Sequence, residues 1–214
     1  MTRARLITFE GGEGAGKSTQ VQRLAAALTA TGITVVVSRE PGGTVGAEAI
    51  RSLLVNGPPE RWLPLSETLL LLAARLDHVE RRIRPALAAG QWVLCDRFVD
   101  STRVYQGMAG TVGVELVNRL QAATIGDLAP DLTLILDVPV EVGLARRGRS
   151  APESRFEDKG IAFHQRVRDG FLQLAAEEPA RCRVIDGSGD ADAVAAALRE
   201  AVAARFALDL GGAG

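Results

Sequence analysis

The stretch Gly11-Gly12-Glu13-Gly14-Ala15-Gly16-Lys17-Ser18, followed by Thr19, fits the pattern G-x-x-x-x-G-K-[ST]. It follows the apolar run Leu6-Ile7-Thr8-Phe9 and precedes an amphipathic stretch that stops at Gly32, so it reads as a loop between a strand and a helix. The glycines let the backbone curl until several N–H groups face one point, and the helix N-terminus adds its positive end. Lys17 supplies a compact charge for the β- and γ-phosphates of a nucleotide, and Ser18 a hydroxyl oxygen for Mg²⁺. At this composition, a chance match anywhere in the chain has a probability of about 0.002 before the strand–loop–helix context is required. The lysine sharpens the reading, because the chain has 23 arginines and only two lysines, Lys17 and Lys159. ATP and Mg²⁺ are therefore the expected ligands, held by Gly11, Gly12, Glu13, Gly14, Ala15, Gly16, Lys17, Ser18 and Thr19.

Outward from this loop the chain alternates short apolar strands with helical patterns. Further strands are predicted at Ile33–Val37, Trp92–Cys95 closing on Asp96, Leu132–Leu136 closing on Asp137, and Arg183–Ile185. Helices are predicted at Ser18–Thr31, Val45–Leu54, from Ser66 to Gly90 with Pro85 interrupting, up to Ile125, from Val140, at Phe156–Ala176 and at Ala191–Phe206. Asn56–Pro64, with its prolines, reads as a loop. Leu69–Ala74 is apolar all round and is expected to be buried. Apolar strands alternating with helices imply an α/β protein: a five-stranded parallel sheet flanked by helices, the three-layer P-loop NTPase fold. With neither repeat nor linker, residues 1–214 read as one domain, with an arginine-rich lid at about 146–157.

Ligands in such folds bind beyond the carboxyl ends of the strands. Those positions hold Gly11–Thr19, Glu40–Thr44, Asp96–Gln106, and Asp137 with the loop beyond it. Asp96 can hold Mg²⁺ through water, alongside Ser18, and Arg97 can grip a phosphate bidentately. Arg75 lies on a buried helix, so it must meet a bound ligand or a carboxylate such as Glu40 or Asp96. Tyr105, the only tyrosine, falls in the segment expected to hold the phosphoryl acceptor. Arg147, Arg149 and Arg155 could bring a cation over the transferring group. His78 and His164 read as surface or internally satisfied residues.

Composition excludes other classes. A net charge of −1 gives no global field toward nucleic acid or membrane. No apolar stretch is long enough to span a bilayer, and the run after Arg5 is too short for a signal-peptide core. Cys95 and Cys182 make no disulfide framework, which fits a reducing cytoplasm. The two asparagines, Asn56 and Asn118, do not begin the Asn-Lys-x-Asp motif that reads guanine. A small-molecule kinase remains, with a phosphate-bearing or hydroxyl-bearing acceptor; a nucleotide-dependent switch is the rival of another class.

With these residues in place, the chain resembles the bacterial thymidylate kinases along nearly its whole length. The matching segments are Phe9–Thr19, Arg39-Glu40-Pro41-Gly42-Gly43-Thr44, Ala73-Ala74-Arg75, Asp96-Arg97, Ser101-Thr102 with Tyr105-Gln106-Gly107, and Arg155-Phe156-Glu157. The resemblance implies transfer of the γ-phosphoryl group of ATP to dTMP in a homodimer packed through helices. It implies that Arg75 bonds the thymine base, with Thr102 at the base edge, and that Arg97 holds the acceptor phosphate. Glu13 would lie near the sugar hydroxyl and the metal. Tyr105 would pack on the deoxyribose, with Gln106 on the same wall, and Glu40, Pro41 and Ser101 would complete the pocket. One branch of the family carries a catalytic arginine inside the phosphate loop. Here that position is Gly14, which implies an arginine from the lid: Arg155 first, then Arg149 and Arg147. Where relatives stack a phenylalanine on the base, this chain has Leu71, so either Leu71 covers the ring or Phe98 replaces the phenylalanine.

Overall fold

In the computed structural model, residues 3–147 and 159–210 are described. Strands β1 (Leu6–Glu10), β2 (Val35–Arg39), β3 (Trp92–Asp96), β4 (Leu132–Asp137) and β5 (Cys182–Asp186) form one parallel sheet in the order β2-β3-β1-β4-β5. The first strand sits at the centre, where Phe9 and Ile7 are fully buried and Phe9 pairs with Asp96 on one side and Leu134 on the other. Strand β2 begins two residues later than the sequence pattern suggests. Its register on β3 runs from Val35 opposite Trp92 to Arg39 opposite Asp96, which brings Glu40 to the same sheet edge as Arg97.

Helices α1 (Lys17–Ala30) and α9 (Ala191–Phe206) cover one face, where Leu24, Leu28, Leu198 and Val202 meet Ile7, Phe9, Leu134 and Leu136. The other face carries α2 (Val45–Val55), α3 (Pro64–His78), α4 (Arg84–Ala88), α5 (Val99–Thr102), α6 (Val114–Ile125) and α8 (Ile161–Glu177), with α7 (Val140–Arg147) following β4. A 3₁₀ turn, Pro59–Arg61, interrupts the expected loop before α3.

Three sequence expectations are corrected. The helix with Pro85 is not broken: a π-helical segment, Val79–Ile83, joins α3 to α4, and Pro85 falls in the first turn of α4, where a missing N–H costs little. The segment after Asp96 is helical from Val99, and a second π-helical segment at Arg103–Met108 carries Tyr105 and Gln106. The apolar stretch Leu69–Ala74 is not wholly buried. Leu72 and Ala74 are sealed, but Leu69 is 49% exposed, because α3 packs on α2 and α6 and its far side has no partner among the described residues. Helix α8 starts at Ile161, after Gly160 at φ 74°; the expected start at Phe156 lies outside the described residues. His78 and His164 are both buried rather than on the surface. Cys95 and Cys182 are buried free thiols. No described helix is long and apolar enough to cross a membrane.

Candidate active site

The phosphate loop leaves the buried end of β1 and folds tightly against the β4–α7 region. Gly11 has φ 130° and Gly14 φ 65°, and both are closed to side chains. A Cβ on Gly11 would lie 2.4 Å from the Leu136 carbonyl oxygen, and one on Gly14 only 1.8 Å from that of Gly143. The position where one branch of the family places an arginine therefore has no room for any side chain here. Gly16, at φ 84°, and Gly12 face open space, as a cradle for an anion requires. Lys17 is 7% exposed, and its Nζ donates to the carbonyls of Gly12 (2.7 Å) and Gly11 (3.2 Å). Burial and the nearby Arg97 charge lower its pKa to about 8. Ser18 Oγ donates to Asp96 Oδ2 at 2.6 Å, so a hydroxyl and a carboxylate meet at the helix start. All-oxygen donors with few protein ligands suit Mg²⁺, which keeps several waters and shares phosphate oxygens.

A cavity of about 250 Å³ opens beside this loop. Its wall gathers all ten residues read from the sequence as acceptor contacts: Glu13, Glu40, Pro41, Leu71, Arg75, Arg97, Ser101, Thr102, Tyr105 and Gln106. Three more, Arg51, Val55 and Asn56, were not foreseen at the site, and Arg147, read as a lid arginine, also lines the wall. Arg51 and Val55 come from the C-terminal half of α2 and Asn56 follows it; the sequence reading gave this helix no role in the site. The signal for Arg51 was its place in the helix that opens directly after the strand-end segment Glu40–Thr44, and its Nη1 indeed donates back to the Pro41 carbonyl at 2.8 Å. Burial lowers its pKa.

Arg97 stands between loop and cavity. It adopts φ 68°, a left-handed conformation rare for a residue with a side chain. The turn is held by its own N–H on the Phe9 carbonyl (2.9 Å) and by Glu10, which accepts from the Phe98 N–H (2.8 Å) and the Ser101 hydroxyl (2.6 Å). The guanidinium then donates to Gly11 O (3.1 Å), Ser101 Oγ (3.2 Å) and Glu13 Oε1 (2.8 Å). Glu13 also accepts from the Tyr105 hydroxyl at 3.1 Å and lies 3.6 Å from Arg147. Burial alone would raise the Glu13 carboxyl, but the Arg97, Lys17 and Arg147 charges outweigh it and hold the pKa at about 2. Arg97 stacks over the Tyr105 ring, 5.0 Å from its centroid, and burial raises the tyrosine pKa.

Arg75, 2% exposed, meets the carboxylate alternative that the sequence left open: its Nε donates to Glu40 Oε2 at 2.7 Å. Its remaining bonds run to Gln121 Oε1 (2.7 Å), the Phe98 carbonyl (2.9 Å) and Thr102 Oγ1 (3.0 Å). His78 Nδ1 lies 3.0 Å from Glu40 Oε1, and its Nε2 lies 2.6 Å from Ser38 Oγ, so this histidine is internally satisfied. Pairing with Glu40 does not exclude a ligand, because Arg75 still forms part of the cavity wall. Leu71 reaches that wall, whereas Phe98 is fully buried beneath Arg75, 5.3 Å from its guanidinium, and does not. Asp137, at the end of β4, is engaged by Arg168 at 2.6 and 2.8 Å and serves the α8–β4 junction. Of the lid arginines, Arg147 is in the cavity wall; Arg149 and Arg155 lie outside the described residues.

The thymidylate kinase family model matches residues 9–198. The chain belongs to the thymidylate kinase family. It is 56% identical to a thymidylate kinase of Caulobacter vibrioides over 208 residues, covering 97% of this chain and 100% of that one. A thymidylate kinase of a Bradyrhizobium strain is 55% identical over 208 residues, 95% of this chain and 92% of the relative. The crystal structure of thymidylate kinase from Ehrlichia chaffeensis superposes with a TM-score of 0.77 at 35% identity, covering 93% and 98% of the two chains. Family membership agrees with the sheet order, the phosphate loop and the cavity beside it, each described from this chain's own residues.

Proposed function

We propose that this chain transfers the γ-phosphoryl group of ATP to dTMP, giving dTDP and ADP. The observation that carries the reading is Arg97, which bonds a carbonyl of the phosphate loop and at the same time lines the acceptor cavity. A cation in that position touches the groups on both sides of the transfer. A phosphate monoester is largely a dianion at neutral pH, so the acceptor needs no strong base. The protein's work is alignment and stabilisation of charge in a loose transition state.

In this reading Gly11–Thr19 hold the phosphates of ATP, and Lys17 releases its loop carbonyls to contact them. Ser18 and Asp96 would hold Mg²⁺, which supplies charge neutralisation at the phosphate oxygens. Arg97 holds the acceptor phosphate, with Arg51 beside it. Arg75 and Thr102 meet the base, Leu71 covers its face, and Tyr105 with Glu13 meets the sugar. Arg155, then Arg149 and Arg147, supplies the cation over the transferring group from a lid at about 146–157 of a single kinase domain. A homodimer is proposed through α3 and α6, supported by the exposed Leu65, Leu69, Leu76 and Leu116. Two buried free thiols support a cytoplasmic setting.

The deciding experiment follows ADP formation with ATP and Mg²⁺ against dTMP, dUMP, UMP, CMP, AMP and deoxythymidine. Strong preference for dTMP is expected. Activity on another acceptor with dTMP inert would keep the kinase and discard its substrate. For the lid, Arg155→Ala should depress turnover more than dTMP affinity, and the reverse pattern would remove Arg155 from that role.

A further inference from the structure

Gln106 and Arg75 are buried polar groups of the cavity wall. An arginine has five N–H donors and no acceptor. Arg75 uses four of them, on Glu40, Gln121, Phe98 and Thr102, which leaves one Nη1 donor for a ligand. Gln106 is 5% exposed, and its Nε2 donates to Glu67 Oε1 at 2.8 Å in a buried contact. A carboxylate can only accept, so the amide nitrogen must face Glu67 and the amide oxygen must face away from it. Lys159 Nζ lies 3.9 Å from the same Glu67 oxygen. Glu67 itself is 5% exposed and is not part of the cavity wall.

We infer that Glu67 is a specificity-setting positioning residue: by fixing the amide of Gln106, it makes the acceptor cavity select a pyrimidine imide over an aminopyrimidine. The inference rests on the proposed dTMP kinase activity. An imide such as thymine or uracil offers a carbonyl oxygen next to an N–H. Cytosine offers an amino group next to a bare ring nitrogen. A wall that presents an arginine N–H and a fixed amide oxygen complements the first pattern and opposes both groups of the second. Without the carboxylate, the amide could rotate and present its NH₂ group, which would accommodate the cytosine nitrogen. A buried polar group left unmatched discriminates far more strongly than a missing methyl contact. Glu67 thus acts on base choice without touching the base.

The test compares kcat and KM for dTMP and dCMP in the full chain, in Glu67→Gln and in the double variant Glu67→Gln/Gln106→Glu. Glutamine at position 67 is close to isosteric and can pair with either orientation of Gln106. In Glu67→Gln the dTMP-to-dCMP ratio of kcat/KM should fall by about tenfold or more, chiefly through KM. The double variant restores an acceptor-only group at position 106, held by a donating amide at 67, and should recover the preference. Circular dichroism and melting curves establish that each variant is folded. Parallel loss on both substrates, an unchanged ratio, or no recovery in the double variant would each overturn the role of Glu67. If Glu67→Gln alone failed to fold, the double variant would decide, since recovered selectivity requires the exchanged pair. An unsubstituted chain inert toward dTMP would instead sink the proposed activity itself.

Discussion

The phosphate loop is made of backbone, and the acceptor cavity beside it is made of interlocked side chains. Gly11 and Gly14 press against the carbonyls of Leu136 and Gly143, and the loop's shape follows from that close approach. The cavity depends on Arg75 and His78 of α3, Glu40 after β2, Gln121 of α6 and Thr102 of α5, each partnered by another. The two regions should therefore fail differently. Removing a side chain from the loop should abolish chemistry and spare the fold. Removing one from the cavity should damage both.

The largest effect is expected for Lys17→Ala. Among the described residues its ammonium hydrogen-bonds the carbonyls of Gly11 and Gly12, so little of the fold depends on it. Turnover should fall by about 10²–10³-fold or more, with a nearly unchanged melting curve. Near-normal turnover would break the whole nucleotide reading. Arg75→Ala is the counterpart in the cavity. It leaves Glu40 buried without its guanidinium, a change that costs about 3–5 kcal/mol, and it should raise KM for dTMP as well. Urea unfolding read beside kinetics checks both. If Arg75→Ala lost affinity with full stability, the contrast between the regions would be wrong.

A smaller effect separates two glycines of the same loop. Gly14→Ala places a Cβ in the Gly143 carbonyl at positive φ, so the loop must shift and ATP affinity should drop with stability. Gly16→Ala also carries positive φ but meets nothing, and should cost only the strain of about 1–2 kcal/mol. Equal penalties in a melting experiment would mean that the close approach at Gly14 is not what shapes the loop.

The same contrast explains what the sequence could reveal. The loop was legible because its chemistry is local: the glycines, Lys17 and Ser18 lie within eight residues, and β1 and α1 frame them. Strand ends pointed to Glu40, Asp96 and Arg97, since a parallel sheet brings its carboxyl ends together. Arg75 and Tyr105 were legible as site candidates, but the base and sugar roles of Arg75, Tyr105 and Gln106 came only by resemblance, because these residues converge through tertiary packing. Arg51 and Glu67 were missed for that reason. Each sits on a helix whose pattern reports a buried face, and no spacing reports which partner it meets. The exposed side of α3 was misread because an apolar pattern specifies that a face needs covering, not what covers it. The π-helical segment at Arg103–Met108 was not foreseen as an element, although it carries Tyr105 and Gln106 to the cavity.

The smallest expected effect lies at the seam of the two regions. Glu10 ends β1, just before the loop, and its carboxyl holds the Phe98 N–H and the Ser101 hydroxyl of the acceptor wall. Burial and the Asp100 charge raise its pKa from 4.5 to about 8, against the lowering effects of Ser101, Arg97 and Phe98. The folded state therefore retains a proton that the unfolded chain has already lost across this range. Stability from this group is fully present below about pH 4.5 and is lost as pH rises through about 8. Glutamine at this position imitates the neutral acid, with an oxygen to accept and an amide to donate. Glu10→Gln should flatten the decline of the urea midpoint between pH 5 and pH 9, and its advantage over the unsubstituted chain should grow toward the alkaline end. Parallel midpoint curves would show that Glu10 is ionised in the folded state. The seam would then be held by a buried charge facing Arg97, and the line between a backbone-built loop and a charge-built cavity would move one residue into β1.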